Sequence, residues 1–291
     1  LLFYVVIAWA ENFTGAVVEY GTYPDQHRRQ FSLSDANPTI QSVFPNAGLE
    51  GGLYAALNAL TEDCLGREWE REDGAMLKIE RAMIDANWGQ STDLVYQFCR
   101  ASAYSGILMP SHGRYVGASS KPMTEYRKQP GDRLGFNWMI PNVAGKRAIR
   151  HVIYDTNYWK SFVHARLAVP LGDKGSLSLY GRVPGVHQLL AEHLTAEYRV
   201  KTQGRGRTVD EWKLKPERSD NHWLDCCAGC AVCGSMLGAA LPALKASRMA
   251  AKPRIRLSDK LHGGSTIPST QVQQNTTGKL KLSEIRRQKH G

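Results

Sequence analysis

Short apolar runs alternate with helix-like segments along most of this chain, and that order restricts it to an α/β architecture built on a mixed sheet. Leu1–Glu11 reads as an apolar strand, Asn12-Phe13-Thr14-Gly15 as a turn, and Ala16–Thr22 as a second strand. So short a connection containing Gly predicts an antiparallel hairpin. Within Asn46–Asp63, Gly51–Leu60 carries apolar residues at helical spacing. The run Leu77–Ile84 predicts a strand ending at Asp85, and Asp93–Arg100 a helix capped by Ser91 or Thr92. Ile107–Pro110 reads as a short strand, and positions 111–145, rich in Gly, Pro, Lys and Arg, as a long loop. His151–Tyr154 is a strand running into the helix Tyr158–Leu167, with Asp155, Thr156 and Asn157 as its cap. Ser176–Tyr180 is extended and Val186–Thr195 is helical. Glu197–Lys201 and Thr208–Leu214 form a hairpin, and Asn221–Leu244 is a long closing apolar helix. No internal repeat is visible.

At 42% hydrophobic residues the chain can bury a sizeable core, and 291 residues suit one large domain or two small ones. Its formal charge of +10 is concentrated at one end. Lys245–Gly291 holds 11 Lys or Arg against 2 Asp or Glu, while the remainder is nearly neutral. This tail is rich in Ser, Thr, Gln, Gly and Lys, which predicts disorder. Tails of this kind touch nucleic acid or an acidic partner, or simply keep a protein soluble. Leu1–Ala8 is too short to span a bilayer and has no basic leader, so no signal peptide or membrane helix is expected. It reads as a strand entered in mid-sheet, which makes the chain a fragment of a longer protein.

Four of the six cysteines crowd into Cys226-Cys227-Ala228-Gly229-Cys230-Ala231-Val232-Cys233. The C-x2-C-x2-C spacing suggests an iron–sulfur cluster. The Ala, Gly, Val and Leu around it instead predict a buried helix in which Cys acts as a small hydrophobe. Nothing calls for structural disulfides, so a reducing cytosol fits.

Two acidic spots carry the chemistry. Asp85 stands at a strand's C-terminal end, where open α/β sheets meet their ligands. It can equally cap the turn beside Asn87 and Gly89. Asp220, Asn221, His222 and Asp225 open the last helix. Asp220 or Asn221 can serve as its N-cap. Asp225 lies one turn further in, among apolar residues, where an acid is costly without a partner. His222 and Asp225 are three apart and share a face. Carboxylates placed so suit a hard divalent cation working on a phosphodiester. Arg205, Arg207, Lys213 and Lys215 lie on the late hairpin, as phosphate grips or as a solvated surface. Trp159, Lys160 and Arg166 read as packing plus surface charge. No phosphate loop for ATP is present, nor a G-x-S-x-G or H-E-x-x-H motif.

The element order resembles the ribonuclease H-like fold: a mixed sheet flanked by helices over 1–244, followed by the basic tail over 245–291. Several motifs in sequence sharpen this. Asp85-Ala86, Leu94–Arg100, Tyr158-Trp159-Lys160, His193–Glu197 and Asn221–Cys226 resemble the nuclease half of tailed-phage terminase large subunits of the lambda-like GpA type. The resemblance implies an endonuclease that cuts concatemeric double-stranded DNA during packaging, with two Mg2+ or Mn2+ ions. It further implies Asp85 and Asp225 as metal ligands, assisted by His222 or Asp220. The partners implied are the terminase small subunit and the portal protein. ATP would enter only through an N-terminal domain lying outside this chain. The implied location is the host cytoplasm, at the procapsid portal, with no membrane involved. The family's first catalytic acid lies on a strand expected just before Leu1. Related terminases often carry an acid where His222 stands. Two rival readings remain: a non-catalytic DNA-binding and docking module of the packaging motor, and a transposase or resolvase on the same fold.

Overall fold

The computed structural model describes residues 1–142, 150–181, 183, 185–217 and 220–241. Two units partition the chain, Leu1–Ser247 and Arg248–Gly291. The basic tail expected from Lys245 lies outside the described residues, as does Ser219.

The first sheet grows from the hairpin. Strand β1 (Leu2–Trp9) pairs antiparallel with β2 (Gly15–Tyr23), with a bulge between Val6 and Ile7. After β2 come a short helix α1 (Ile40–Val43) and a long one, α2 (Gly48–Gly66). A two-residue ladder of β3 (Trp69–Glu70) with β4 (Met76–Leu77) leads into β5 (Ala82–Asp85). Helix α3 (Thr92–Ala101) and strand β6 (Leu108–Arg114) follow. β7 (Arg133–Leu134) and β8 (Trp138–Ile140) precede β9 (Val152–Asp155), which runs directly into α4 (Thr156–Leu167). Then come β10 (Leu177–Leu179), α5 (Gln188–Leu194), β11 (Glu197–Gly204), β12 (Arg207–Leu214) and α6 (His222–Met236).

The strands form a three-stranded sheet ordered β1-β2-β10 and a five-stranded sheet ordered β5-β6-β9-β8-β7. β5, β6 and β9 run parallel, β8 and β7 antiparallel, so the sheet is mixed. The α/β class with a mixed sheet therefore stands. Three expectations need correction. The run Leu77–Ile84 is not one strand: its start belongs to the β3–β4 ladder, and only Ala82–Asp85 enters the large sheet. Segment 111–145 is not a loop throughout, because β6 continues to Arg114 and β7 and β8 add two strands. Each of the latter is only two or three residues long and too short to show a period. The closing helix stops at Met236 rather than Leu244, with Gly238 at φ +105 just beyond it.

Local chemistry explains the elements that frame the site. The Asp155 carboxylate accepts from the Tyr158 N–H at 3.2 Å and caps α4, as its sequence implies. The β11–β12 turn is tighter than expected. Arg205 and Gly206 both have positive φ, +51 and +71, the backbone of a two-residue hairpin turn. Helix α6 carries no charge after Asp225, and its small residues let it lie close beneath β1. A Cβ at Gly234 would stand 2.9 Å from the Trp9 ring. α4 and α6 share one core around Trp159, Val163, Leu224 and Val232. α2 and α3 build a second around Leu53, Val95 and Phe98 against β5 and β6. Among the described residues no helix is long and apolar enough to cross a membrane.

Among the described residues β1 pairs with β2 alone, and β5 with β6 alone. Their outer edges line one groove of about 1560 Å³ floored by α6. The carbonyls of Phe3 and Val5 turn into that groove, where they accept from the thiols of Cys226 (3.5 Å) and Cys230 (3.3 Å). The cysteine run thus serves as weak donors to an unpaired strand edge.

Candidate active site

Asp85 ends β5 with its side chain exposed. Its Oδ1 accepts from the Asn87 N–H at 3.0 Å, so the turn-capping role is real. Asn87 is itself fixed: its amide donates to Gly113 O at 2.8 Å, and its Oδ1 lies 2.8 Å from His112 Nδ1. The far nitrogen of that ring meets the Tyr96 hydroxyl at 2.8 Å. This chain of contacts holds the loop after β5, and with it the Asp85 carboxylate, against β6.

Asp225 sits in the first turn of α6 with its side chain 47% exposed. The partner that makes an acid tolerable there is Lys160, whose ammonium lies 2.8 Å from Asp225 Oδ1. Lys160 is only 8% exposed, so reading it as surface charge is corrected. Its second partner is Glu197 Oε1 at 2.5 Å, which also accepts from the Asn221 side-chain amide. Burial works against the ammonium, but the Asp225 and Glu197 carboxylates outweigh it and hold the Lys160 pKa above its ordinary value. Burial pushes the Asp225 carboxyl up despite Lys160, and the charges of Glu197 and Asp85 push the same way. The Tyr154 hydroxyl, buried on β9, is raised by desolvation first and then by Asp225 and Asp85 together. Strand end and helix start, 140 residues apart in sequence, therefore interact electrostatically and line one groove.

His222 opens α6 stacked on Phe3, with ring centroids 4.3 Å apart. Its Nε2 is buried without a hydrogen bond, 3.9 Å from Asp220 Oδ1, and desolvation lowers its pKa. Asp220 accepts from the Leu33 N–H at 3.4 Å. Among the described residues no three of His, Cys, Asp and Glu converge on a point that could hold a metal ion. The structure thus brings Asp85 and Asp225 to one groove, and neither His222 nor Asp220 completes a three-ligand group with them.

The hairpin cations divide. Arg207 donates to the backbone carbonyls of Gly117 (2.7 Å) and Ser120 (2.6 Å), bracing the hairpin against that loop. Arg205 lies 3.8 Å from Glu125. Lys213 is exposed and Lys215 half-buried. Two residues at the site, Lys160 and Glu197, escape sequence reasoning. Both occur in the quoted motifs, but nothing in one sequence says that a lysine on α4 meets an acid on β11.

His193, on the buried side of α5, supplies a pH dependence. Desolvation, followed by the neighbouring His222, lowers its pKa to about 4 from an ordinary 6.5. The folded state therefore prefers neutral imidazole. This contribution is intact above about pH 6.5 and is lost as pH falls toward about 4, at most about 3 kcal/mol. Asp155, raised to about 6 by burial, acts in the opposite sense over the same range. Comparing the parent with His193→Gln in urea titrations from pH 7 to 4 isolates the histidine. The parent should lose more stability than the variant over that interval, and equal losses would exclude this role.

A family model described as "Terminase large subunit gpA, endonuclease domain" matches residues 46–244. No curated protein matches the chain, and no solved structure does either.

Proposed function

Because the chain belongs to the family of terminase large subunit gpA endonuclease domains, a family of DNA-packaging nucleases, we propose that it is a metal-dependent endonuclease that cuts concatemeric double-stranded DNA on a ribonuclease H-like sheet. That Asp85 and Asp225 line one groove and feel each other's charge carries this reading. Their carboxylate oxygens are the donors that Mg2+ or Mn2+ prefers. A bound pair of such ions would neutralise the phosphate and supply a hydroxide-like nucleophile at neutral pH. The chain's own residues do the rest. Asp85 and Asp225 would hold the cations, with His222 or Asp220 assisting. Asn87 fixes the Asp85 carboxylate, and Lys160 fixes one oxygen of Asp225. Lys213, Lys215 and Arg205 on the late hairpin offer positive charge to the DNA backbone.

Two carboxylates are few for two ions. The unpaired edges of β1 and β5 support a further strand seated between them, carrying the third acid. In this reading the terminase small subunit, the portal protein and a separate ATPase domain are the working partners, in the host cytoplasm at the procapsid portal. The lack of a three-ligand group among the described residues favours one alternative, a DNA-binding and docking module without cleavage.

Plasmid nicking separates the two readings. With Mg2+ or Mn2+, the chain completed by the further strand should convert supercoiled plasmid to open circles. Asp85→Asn and Asp225→Asn should each slow this at least about tenfold, as expected for the loss of a metal ligand. Plasmid binding without metal-dependent nicking would support the docking module instead.

A further inference from the structure

Lys160 stands where a cation is already needed. It is the buried ammonium in contact with Asp225, and Asp225 is one of the two acids on the groove. A buried lysine on α4, between Trp159 and Val163, is costly unless its charge is matched. Here it is matched twice, by Asp225 at 2.8 Å and Glu197 at 2.5 Å, and Asn221 anchors the same Glu197 oxygen. The two contacts differ in kind. The Glu197 side chain is 6% exposed, whereas that of Asp225 is 47% exposed and opens onto the groove. One end of the bridge is thus locked in the core and the other is reachable from solvent.

We propose that Lys160 is a built-in counter-cation of Asp225, a positioning residue that holds Asp225 Oδ1 in the absence of a divalent ion and competes with that ion for the carboxylate. Glu197 is the anchor that retains the ammonium when Asp225 is given up. This rests on the reading of Asp225 as a metal ligand. A positive charge within contact of a ligand oxygen opposes a second cation there, and in partly buried surroundings that opposition is substantial. The device sets metal affinity, and it spares Asp225 from standing as a partly desolvated charge with no partner.

The test is Mn2+ binding to the full chain, followed by water-proton relaxation, with circular dichroism to verify folding. Lys160→Met should bind Mn2+ roughly tenfold more tightly than the parent, because the competing charge is gone. Lys160→Arg, which keeps the charge, should bind as the parent does. The double variant Lys160→Met/Glu197→Gln removes both charges of the buried pair, so it remains informative if Lys160→Met fails to fold. It too should bind more tightly than the parent. A purely structural lysine would lower stability in Lys160→Met and leave Mn2+ affinity unchanged in every folded variant, and that result overturns the proposal. Asp225→Asn separates the two levels. If the parent binds Mn2+ and Asp225→Asn binds it equally well, the metal reading of Asp225 fails, and the role of Lys160 fails with it. If Asp225→Asn loses the ion while both Lys160→Met variants match the parent, only the role of Lys160 fails.

Discussion

Completing the sheet should switch on cleavage. With one more β-strand carrying an Asp or Glu joined ahead of Leu1, plasmid nicking in Mn2+ should rise at least about a hundredfold over the 291-residue chain, or ~2.7 kcal/mol of barrier. The reason lies in the groove. Among the described residues β1 and β5 each present an unpaired edge to it, and two carbonyls of β1 accept there from thiols. Thiols are weak donors, so a strand offering peptide N–H groups would replace poor hydrogen bonds with good ones. It would also cover two open edges that otherwise invite aggregation. Its acid would add a third carboxylate to Asp85 and Asp225, which is what two bridged cations require. The same extended chain with Asp85→Asn should fall back toward the level of the parent. Equal nicking by the parent and extended chains would overturn this account and turn attention to Glu11 or Glu19 as the third acid. Glu19 is a poor substitute, because its carboxylate already receives the Tyr4 hydroxyl at 2.9 Å and Arg67 at 2.6 Å.

Trp159→Ala should be the most damaging single truncation in the core, costing about 3–5 kcal/mol. Against a total stability of about 5–15 kcal/mol, that leaves a marginal protein. Trp159 is 1% exposed and its ring meets Tyr158 and Phe162 edge-on at 5.2 and 5.1 Å. Its indole N–H also donates to the Asn137 carbonyl at 3.2 Å. Asn137 has φ +54 directly before β8, so the tryptophan holds a turn as well as filling space. Urea unfolding read by far-UV circular dichroism measures the loss. Trp88→Ala, at a side chain 48% exposed, is the control and should change stability by no more than about 0.5 kcal/mol. A cost below about 1 kcal/mol for Trp159→Ala would mean that the α4–α6 core is not organised around this ring.

By itself the sequence determined the elements whose signals are local. The first hairpin, the helix at Gly48–Gly66, the Asp155 cap of α4 and the β11–β12 hairpin follow from apolar period, capping chemistry and turn residues. Asp225 was legible for a similar reason, since an acid inside an apolar helix demands a partner wherever that partner lies. The place of Asp85 at a strand end was legible from the strand-like run before it, although that strand was drawn five residues too long. β7 and β8 were not legible, because strands of two or three residues owe their existence to the neighbour they pair with rather than to their own composition. Lys160 shows the same limit at the site. A lysine's sequence neighbours cannot reveal that two acids, 37 and 65 residues away, will close on it in the core. Only the tertiary structure decided that, because pairing a buried charge depends on distances in space.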